Sequence, residues 1–244
     1  MKSTICLFTI GLMLLLSGCA SNSRPGDPLE GVNRVSWDLN YNVLDKHILK
    51  PASEGYAKVP MPIRDGVANV LSNLNEPLYA LNNLLQGKVV DSGSTVLRFV
   101  LNTTVGILGI FDPATAVGLP KKAETFSQTF GAWGVGNGPY LMWPVYGAST
   151  ARNTVGDLVD ILVYPLSILS PEQMGAKFVL QGLESRIEYQ QYEPMLERSL
   201  DNYDFVKELY LQHDAYLVND GKTDEQLPAE FEGEFDDELI DNQN

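Results

Sequence analysis

From residue 96 to residue 111 the chain is almost continuously apolar and carries one charge, Arg98. Asn102, Thr103 and Thr104 interrupt this run, and Gly106 and Gly109 sit near its end. The pattern predicts a helix opening near Asp91, then a bend and a second short element, because two glycines disfavour one rigid rod. Upstream, Val32, Val35, Leu39 and Val43 recur at helical spacing, and Trp37, Tyr41, Leu44 and Ile48 add a second stripe. A helix apolar over so much of its circumference is deeply buried or lies in lipid. Asp27 reads as its cap, Pro28 as its first position and Glu30 as the capping-box partner, with Pro51 as its stop.

The rest of the pattern is also helical. Pro60-Met61-Pro62 opens a second helix, faced by Val67, Val70, Leu71 and Leu74. Asn75-Glu76-Pro77 ends it and starts a third, faced by Leu78, Leu81, Leu84 and Leu85 and closed by Gly87. Ser149 caps a helix over residues 150–163 with Val155, Leu158 and Leu162 inward, ended by Tyr164-Pro165. Ser170-Pro171-Glu172-Gln173 carries the cap, first-position proline and third-position glutamine that start a helix reaching about residue 189. A last helix covers about residues 204–217. Strand alternation is rare, and Asn-Gly or Asp-Gly pairs between β-branched runs are absent. The body is therefore all-α, one domain of roughly 190 residues. No predicted helix is long and apolar enough to cross a bilayer upright, which needs ~20 residues. Short, wide-faced, interrupted helices suit one leaflet.

The two ends differ from this body. Residues 1–18 read as a secretory signal: Lys2 gives a positive start, and an apolar core of about 12 residues is too short to span. Leu16-Ser17-Gly18-Cys19 resembles the bacterial lipobox, which makes Cys19 the lipid-attachment residue and residues 19–26 a lipidated linker. Ala20-Ser21 follow the cysteine without the aspartate of inner-membrane retention, which resembles outer-membrane sorting. Cys6 leaves with the signal, so packing alone stabilises the fold. Residues 27–218 are the folded domain. Residues 219–244 form an acidic, disordered tail, with ten acids and one lysine from Asp220 onward. Phe231, Phe235 and Leu239 nevertheless fall on one helical stripe, as expected of a segment that folds onto a partner's groove. The tail holds most of the net charge of −14, and nothing basic is clustered, which argues against nucleic acid.

Catalytic chemistry is hard to assemble. His47 and His213 are the only histidines, far apart and without metal-ligand spacing, so no metal and no cofactor is expected. There is no Gly-x-Ser-x-Gly elbow and no P-loop. Gly134-Val135-Gly136-Asn137-Gly138 lacks the spacing of a nucleotide loop, and Pro139 removes an N–H where a phosphate cradle needs one. Gly131, Gly134, Gly136 and Gly138, flanked by Trp133, Tyr140 and Trp143, instead read as a hinge at a membrane interface or as a tight loop under a core. Arg98 either pairs with Asp91 or another carboxylate, or meets a phosphate headgroup.

Several runs resemble the MlaA (VacJ) lipoprotein family. They are Asp27-Pro28-Leu29-Glu30-Gly31, Asn33-Arg34, Asn40, Leu44-Asp45, Pro51, Asn73-Leu74, Glu76-Pro77 and Leu85-Gln86-Gly87. Arg98-Phe99, Asn102-Thr103 and Gly106 continue the likeness. Its most specific part is Trp133-Gly134-Val135-Gly136-x-Gly138-Pro139-Tyr140, followed by Pro144 and Arg152. The likeness covers about residues 27–215. Thr125 and Ser127 depart from it, standing where the family often has Asp and Gly within Glu124-x-Phe126-x-Gln128. The resemblance implies a ring-shaped helical domain with short amphipathic membrane-embedded helices around a central amphipathic channel. It implies a lipid-anchored, periplasm-facing outer-membrane protein that is not an enzyme. It passes phospholipid from the outer leaflet to an MlaC-like periplasmic carrier and associates with a trimeric outer-membrane porin. On that basis the channel or gate residues are Asn102, Thr103, Gly106, Gly109, Phe126, Trp133, Gly134, Gly136, Gly138 and Tyr140.

Overall fold

The structure, a computed structural model, describes residues 27–163 and 170–222. Helix α1 (Glu30–Asp38) runs without interruption through a π-helical segment (Leu39–Leu49) into α2 (Lys50–Tyr56). Pro51 therefore does not stop the helix. The Lys50 N–H still donates to the Asp45 carbonyl, five residues back. Pro51, with no N–H to place, then opens the return to α-helical register. Asp27 does not cap α1 either. Its buried carboxylate is taken by the Asn33 amide, at 3.1 Å, and by the Tyr203 hydroxyl.

Helix α3 (Met61–Leu85) is a single 25-residue helix that continues through Pro77. A mid-helix proline costs about 3 kcal/mol, and here both halves of α3 are tied to α4 (Val89–Thr104). Asn73 Nδ2 donates to Thr103 Oγ1 at 3.0 Å, Arg98 Nε to Glu76 at 2.9 Å, and Ser92 Oγ to the Ala80 carbonyl at 2.8 Å. Tertiary bonds on both sides of the proline keep the helix from ending there. The predicted bend after α4 is present: Ile107 (φ 54°), Leu108 (φ 57°) and Gly109 (φ 89°) are left-handed. The second short element is α5 (Pro113–Ala116), capped by Asp112.

Helix α6 (Phe126–Ala132) begins at a capping box made by Thr125 and Gln128. An antiparallel hairpin follows, β1 (Tyr140–Trp143) and β2 (Gly147–Thr150), with Tyr140 opposite Thr150 and Trp143 opposite Gly147. Its only sequence cues are Pro144 in the turn and Gly147 at the start of β2, so the helical pattern alone does not announce it. The Asn33 side chain grips β1 from α1, donating to the Tyr140 carbonyl and accepting from the Met142 N–H.

Helix α7 (Ala151–Val163) starts one residue later than expected, and Thr150 Oγ1 caps it by accepting from the Asn153 N–H. Helix α8 (Pro171–Glu188) has the capping box read from Ser170 and Gln173. A 3₁₀ turn (Tyr189–Tyr192) and α9 (Glu193–Arg198) lead to α10 (Asn202–Val218), capped by Asp201.

Neighbour relations among these elements close a circuit. α1 packs on β1, β2 on α7, α7 on α6, α6 on α3, α3 on α8, and α8 on α2, which is continuous with α1. α10 lies against α6 and β2. Among the described residues no helix is long and apolar enough to cross a membrane.

Candidate functional site

On two helices, α4 and α7, the polar face is buried and the apolar face exposed, the inverse of the arrangement expected in water. On α7 the buried residues are Arg152, Asn153 and Gly156, whereas Val155, Leu158 and Leu162, expected inward, are 51%, 56% and 83% exposed. On α4 the buried face is Ser92, Thr95, Arg98 and Asn102, and Val96, Leu97 and Val100 point outward. Among the described residues, 22 polar or charged side chains are buried against seven hydrophobic ones. Periodicity predicts helices over these stretches, with breaks at Pro51 and Pro77 that the structure lacks, and on α4 and α7 the apolar stripe is the outer one. Of the two stripes over residues 32–48, the first fits the second alternative, since Val32, Val35, Leu39 and Val43 are all exposed, whereas Trp37, Tyr41 and Leu44 of the second are half-buried and Trp37 packs on the core.

A buried polar interior must satisfy itself. Arg98, 2% exposed, donates to Glu76 and to Asp112, each at 2.9 Å, to Thr115 Oγ1 at 3.0 Å and to the Leu119 carbonyl. Its partners are thus carboxylates of the fold, though not Asp91, which faces Lys122 at 3.8 Å. Burial pushes the Glu76 carboxyl up against the opposing pull of Arg98. Burial acts upward on Asp112 as well, but hydrogen bonds from Thr115, Arg98 and Asn102 outweigh it and hold the carboxyl at about 2. A second node joins α7 to α10. Arg152 Nη2 meets Asp214 at 2.6 Å, and Asn153 Nδ2 donates to Asp214 and to the Tyr210 hydroxyl, each at 2.7 Å.

Beside this second node lies a cavity of about 440 Å³. Its wall is formed by Tyr79 of α3, by Ala123, Thr125, Ser127 and Gln128, and by Tyr146 and Ala148 of the hairpin. Asn153 and Asp157 of α7 and Tyr210, His213, Asp214 and Leu217 of α10 complete it. Tyr146 Oη donates to Asp157 at 2.8 Å. Burial raises the Asp157 carboxyl, and burial likewise raises Asp160, one turn along α7, to about 6. The wall offers hydroxyls, two carboxylates, an imidazole and aromatic rings, together with the apolar Ala123, Ala148 and Leu217. Such a lining can accept a polar group out of water, while the exposed apolar faces lie on the other side of the same helices.

None of the residues expected to form a channel or gate lines this cavity. Asn102 is buried, donating to Asp112 at 3.0 Å and accepting from the Ala114 N–H. Thr103 accepts from Asn73. Gly106 and Gly109 lie in the turn after α4, where a Cβ would fall 2.4 Å from the Phe111 carbonyl oxygen and 2.7 Å from Asn73 Cβ, respectively. Phe126 is buried, and its N–H donates to Asp160. Trp133 is exposed, with its indole N–H on the Leu85 carbonyl at 3.2 Å. Gly134 and Gly138 have positive φ, and Gly136 has open space around its Cα. Tyr140 is 1% exposed, packs against Tyr203 and Tyr210, and has no partner for its hydroxyl. Cys19, Phe231, Phe235 and Leu239 lie outside the described residues.

The wall residues Tyr79, Asp157, Tyr210, His213 and Asp214 were not singled out by sequence. A signal existed. Asn153, Asp157 and Asp160 recur at i, i+4, i+7 on α7, and Tyr210, His213, Asp214 and Leu217 at i, i+3, i+4, i+7 on α10. A polar stripe of that kind is as periodic as an apolar one.

Comparison with known proteins gives concordant results. The model of the MlaA lipoprotein family matches residues 25–217. The intermembrane phospholipid transport system lipoprotein MlaA of Shigella flexneri is 37% identical over 91% of both chains, and that of Escherichia coli K12 is 36% identical over the same shares. The Haemophilus influenzae lipoprotein of that name is 33% identical over 97% of this chain and all of its own. A structure solved to explain the maintenance of bacterial outer-membrane lipid asymmetry superposes with a TM-score of 0.75 at 39% identity, covering 80% of this chain and all of that one.

Proposed function

The chain belongs to the MlaA lipoprotein family, and from that premise we propose that it is a passive phospholipid channel of the outer membrane. It removes phospholipid from the outer leaflet and maintains lipid asymmetry. In this proposal Cys19 carries the anchor, the domain of residues 27–218 sits in the inner leaflet facing the periplasm, and a trimeric porin holds it beside the bilayer. A soluble periplasmic carrier receives the lipid, with the tail of residues 219–244 as its docking segment. No catalytic step is involved.

The observation that carries the reading is the inverted polarity of α4 and α7, apolar outside and polar inside, beside a cavity whose wall mixes polar and apolar groups. Exposing a two-chain lipid with ~30 methylenes to water would cost roughly 24 kcal/mol at ~0.8 kcal/mol per group. Transfer without an energy source therefore needs a path in which the tails stay in apolar surroundings while the headgroup crosses a polar interior. Large apolar side chains exposed on α1, α4, α7 and the turn after α4 supply the first surface, and the cavity supplies the second. Gly134, Gly136 and Gly138, with Trp133 and Tyr140, form the hinge of the gate in this scheme, and Asn102, Thr103, Gly106, Gly109 and Phe126 hold its frame.

The test is transfer of labelled phospholipid from proteoliposomes to a soluble acceptor. Ala148→Trp, which puts an indole into the cavity, is expected to abolish transfer without changing membrane insertion, and Gly136→Pro to slow it. Undiminished transfer by Ala148→Trp would remove the cavity from the path. A protein that binds porin yet moves no lipid under any condition would instead be a scaffold.

A further inference from the structure

The two carboxylates of the cavity differ. Asp214 is held by Arg152 and Asn153. Asp157 receives only a neutral hydroxyl, from Tyr146. Among the described residues no lysine or arginine pairs with Asp157, and none lines the cavity. Burial has raised its carboxyl, which is the mark of a charge taken from water with no opposite charge supplied. The cavity that Asp157 lines also carries the aromatic side chains of Tyr79, Tyr146, Tyr210 and His213 in its wall. A carboxylate among aromatic faces is the usual chemistry for receiving an organic ammonium, since ring faces attract cations and the carboxylate takes its N–H bonds.

Resting on the transport reading above, we propose that the cavity is an ammonium subsite, in which Asp157 receives the primary amine of an ethanolamine-type headgroup, and that it selects such lipids over net-anionic ones. A zwitterionic headgroup brings a cation to Asp157 and adds no net charge. A glycerol headgroup brings only the phosphate, which the same carboxylate repels. A choline headgroup keeps the charge but has no N–H to give, so it ranks between them. Asp157 is here a specificity residue. Asp214 lines the wall with its charge balanced by Arg152 behind it, so that pair adds no net charge.

The experiment equilibrates the full-length protein with mixed vesicles of phosphatidylethanolamine, phosphatidylcholine and phosphatidylglycerol bearing the same acyl chains, and quantifies bound lipid by mass spectrometry. Wild type is expected to enrich phosphatidylethanolamine about tenfold over phosphatidylglycerol relative to the vesicles, with phosphatidylcholine between. Asp157→Asn should bring the ratio close to one, and Asp157→Glu should retain a preference. A wild-type protein that shows no headgroup preference, enriches phosphatidylglycerol or retains no lipid overturns the proposal. So does an Asp157→Asn protein with unchanged enrichment. The wild-type comparison of three headgroups decides the matter even if a variant fails to fold. Transfer to a soluble acceptor is scored separately: selective binding without transfer sinks the transport reading and leaves the subsite, whereas transfer without selectivity does the reverse.

Discussion

Replacing Arg98 by methionine removes the cation at the centre of the polar interior while keeping most of the side-chain volume. In the native fold that guanidinium makes 2.9 Å contacts with Glu76 and Asp112 and also binds Thr115 and the Leu119 carbonyl. Glu76 is 0% exposed, and its second carboxylate oxygen already lacks a hydrogen-bond partner. Without Arg98 this carboxylate is an uncompensated buried charge. Breaking one side of such a pair costs about 3–5 kcal/mol, a large part of a typical stability of about 5–15 kcal/mol. The assay is guanidinium unfolding in detergent micelles, followed by circular dichroism. Glu76→Gln is then combined with Arg98→Met in a double-mutant cycle. The double variant should recover about 1–3 kcal/mol relative to additivity, because the orphaned charge is gone. Mild acid should also help Arg98→Met alone. Glu76 is raised in the fold by burial, so the folded state binds its proton more tightly than the unfolded chain does, and stability grows as pH falls. A cost below about 1 kcal/mol with additive behaviour would show that the buried cluster does not hold α3 to α4.

Other outcomes follow from the same geometry. Leu162→Lys, at an 83% exposed site on α7, should weaken membrane association by about 2–3 kcal/mol with unchanged helicity, as measured by vesicle flotation. Asp160 sits at about 6, above the ordinary carboxylate value of 3.8, so the fold holds extra protons across that interval and stability declines as pH rises through it. Asp160→Asn should remove that decline and raise the neutral-pH unfolding midpoint. Gly109→Ala combines φ +89° with a Cβ 2.7 Å from Asn73 and should cost more than Gly118→Ala, where φ is +83° and nothing lies within 4 Å; thermal melts compare the two. The pair Phe231→Ala and Phe235→Ala should reduce delivery to the periplasmic carrier while leaving insertion intact, read by transfer kinetics and flotation.

The helices were legible because capping chemistry and periodicity are local. Ser170 and Gln173 sit in the capping box expected of them, and the bend at Gly106 and Gly109 falls where two glycines interrupt an apolar run. Which stripe faces inward was not local information. Val155, Leu158 and Leu162 have the same spacing whether they meet a core or a bilayer, and only the partners of Arg152 and Asn153 decide it. Pro77 misled for a related reason, since its cost is met by ties between α3 and α4 that sequence does not display. The cavity was missed because its wall comes from five separate segments, each contributing one to three polar residues. The hairpin pairs strands of only four residues each, too short for alternation to be read.

The central claim is that the apolar side of these helices meets lipid while the polar side does not. The most direct measurement places nitroxide labels, one at a time, at Leu97, Leu158 and Leu162 in membrane-reconstituted protein and compares relaxation by oxygen, which concentrates in acyl chains, with relaxation by a water-soluble nickel chelate. Strong oxygen and weak nickel effects are expected at all three positions. Ready access of the nickel chelate to all three, in protein that remains membrane-bound, would contradict it.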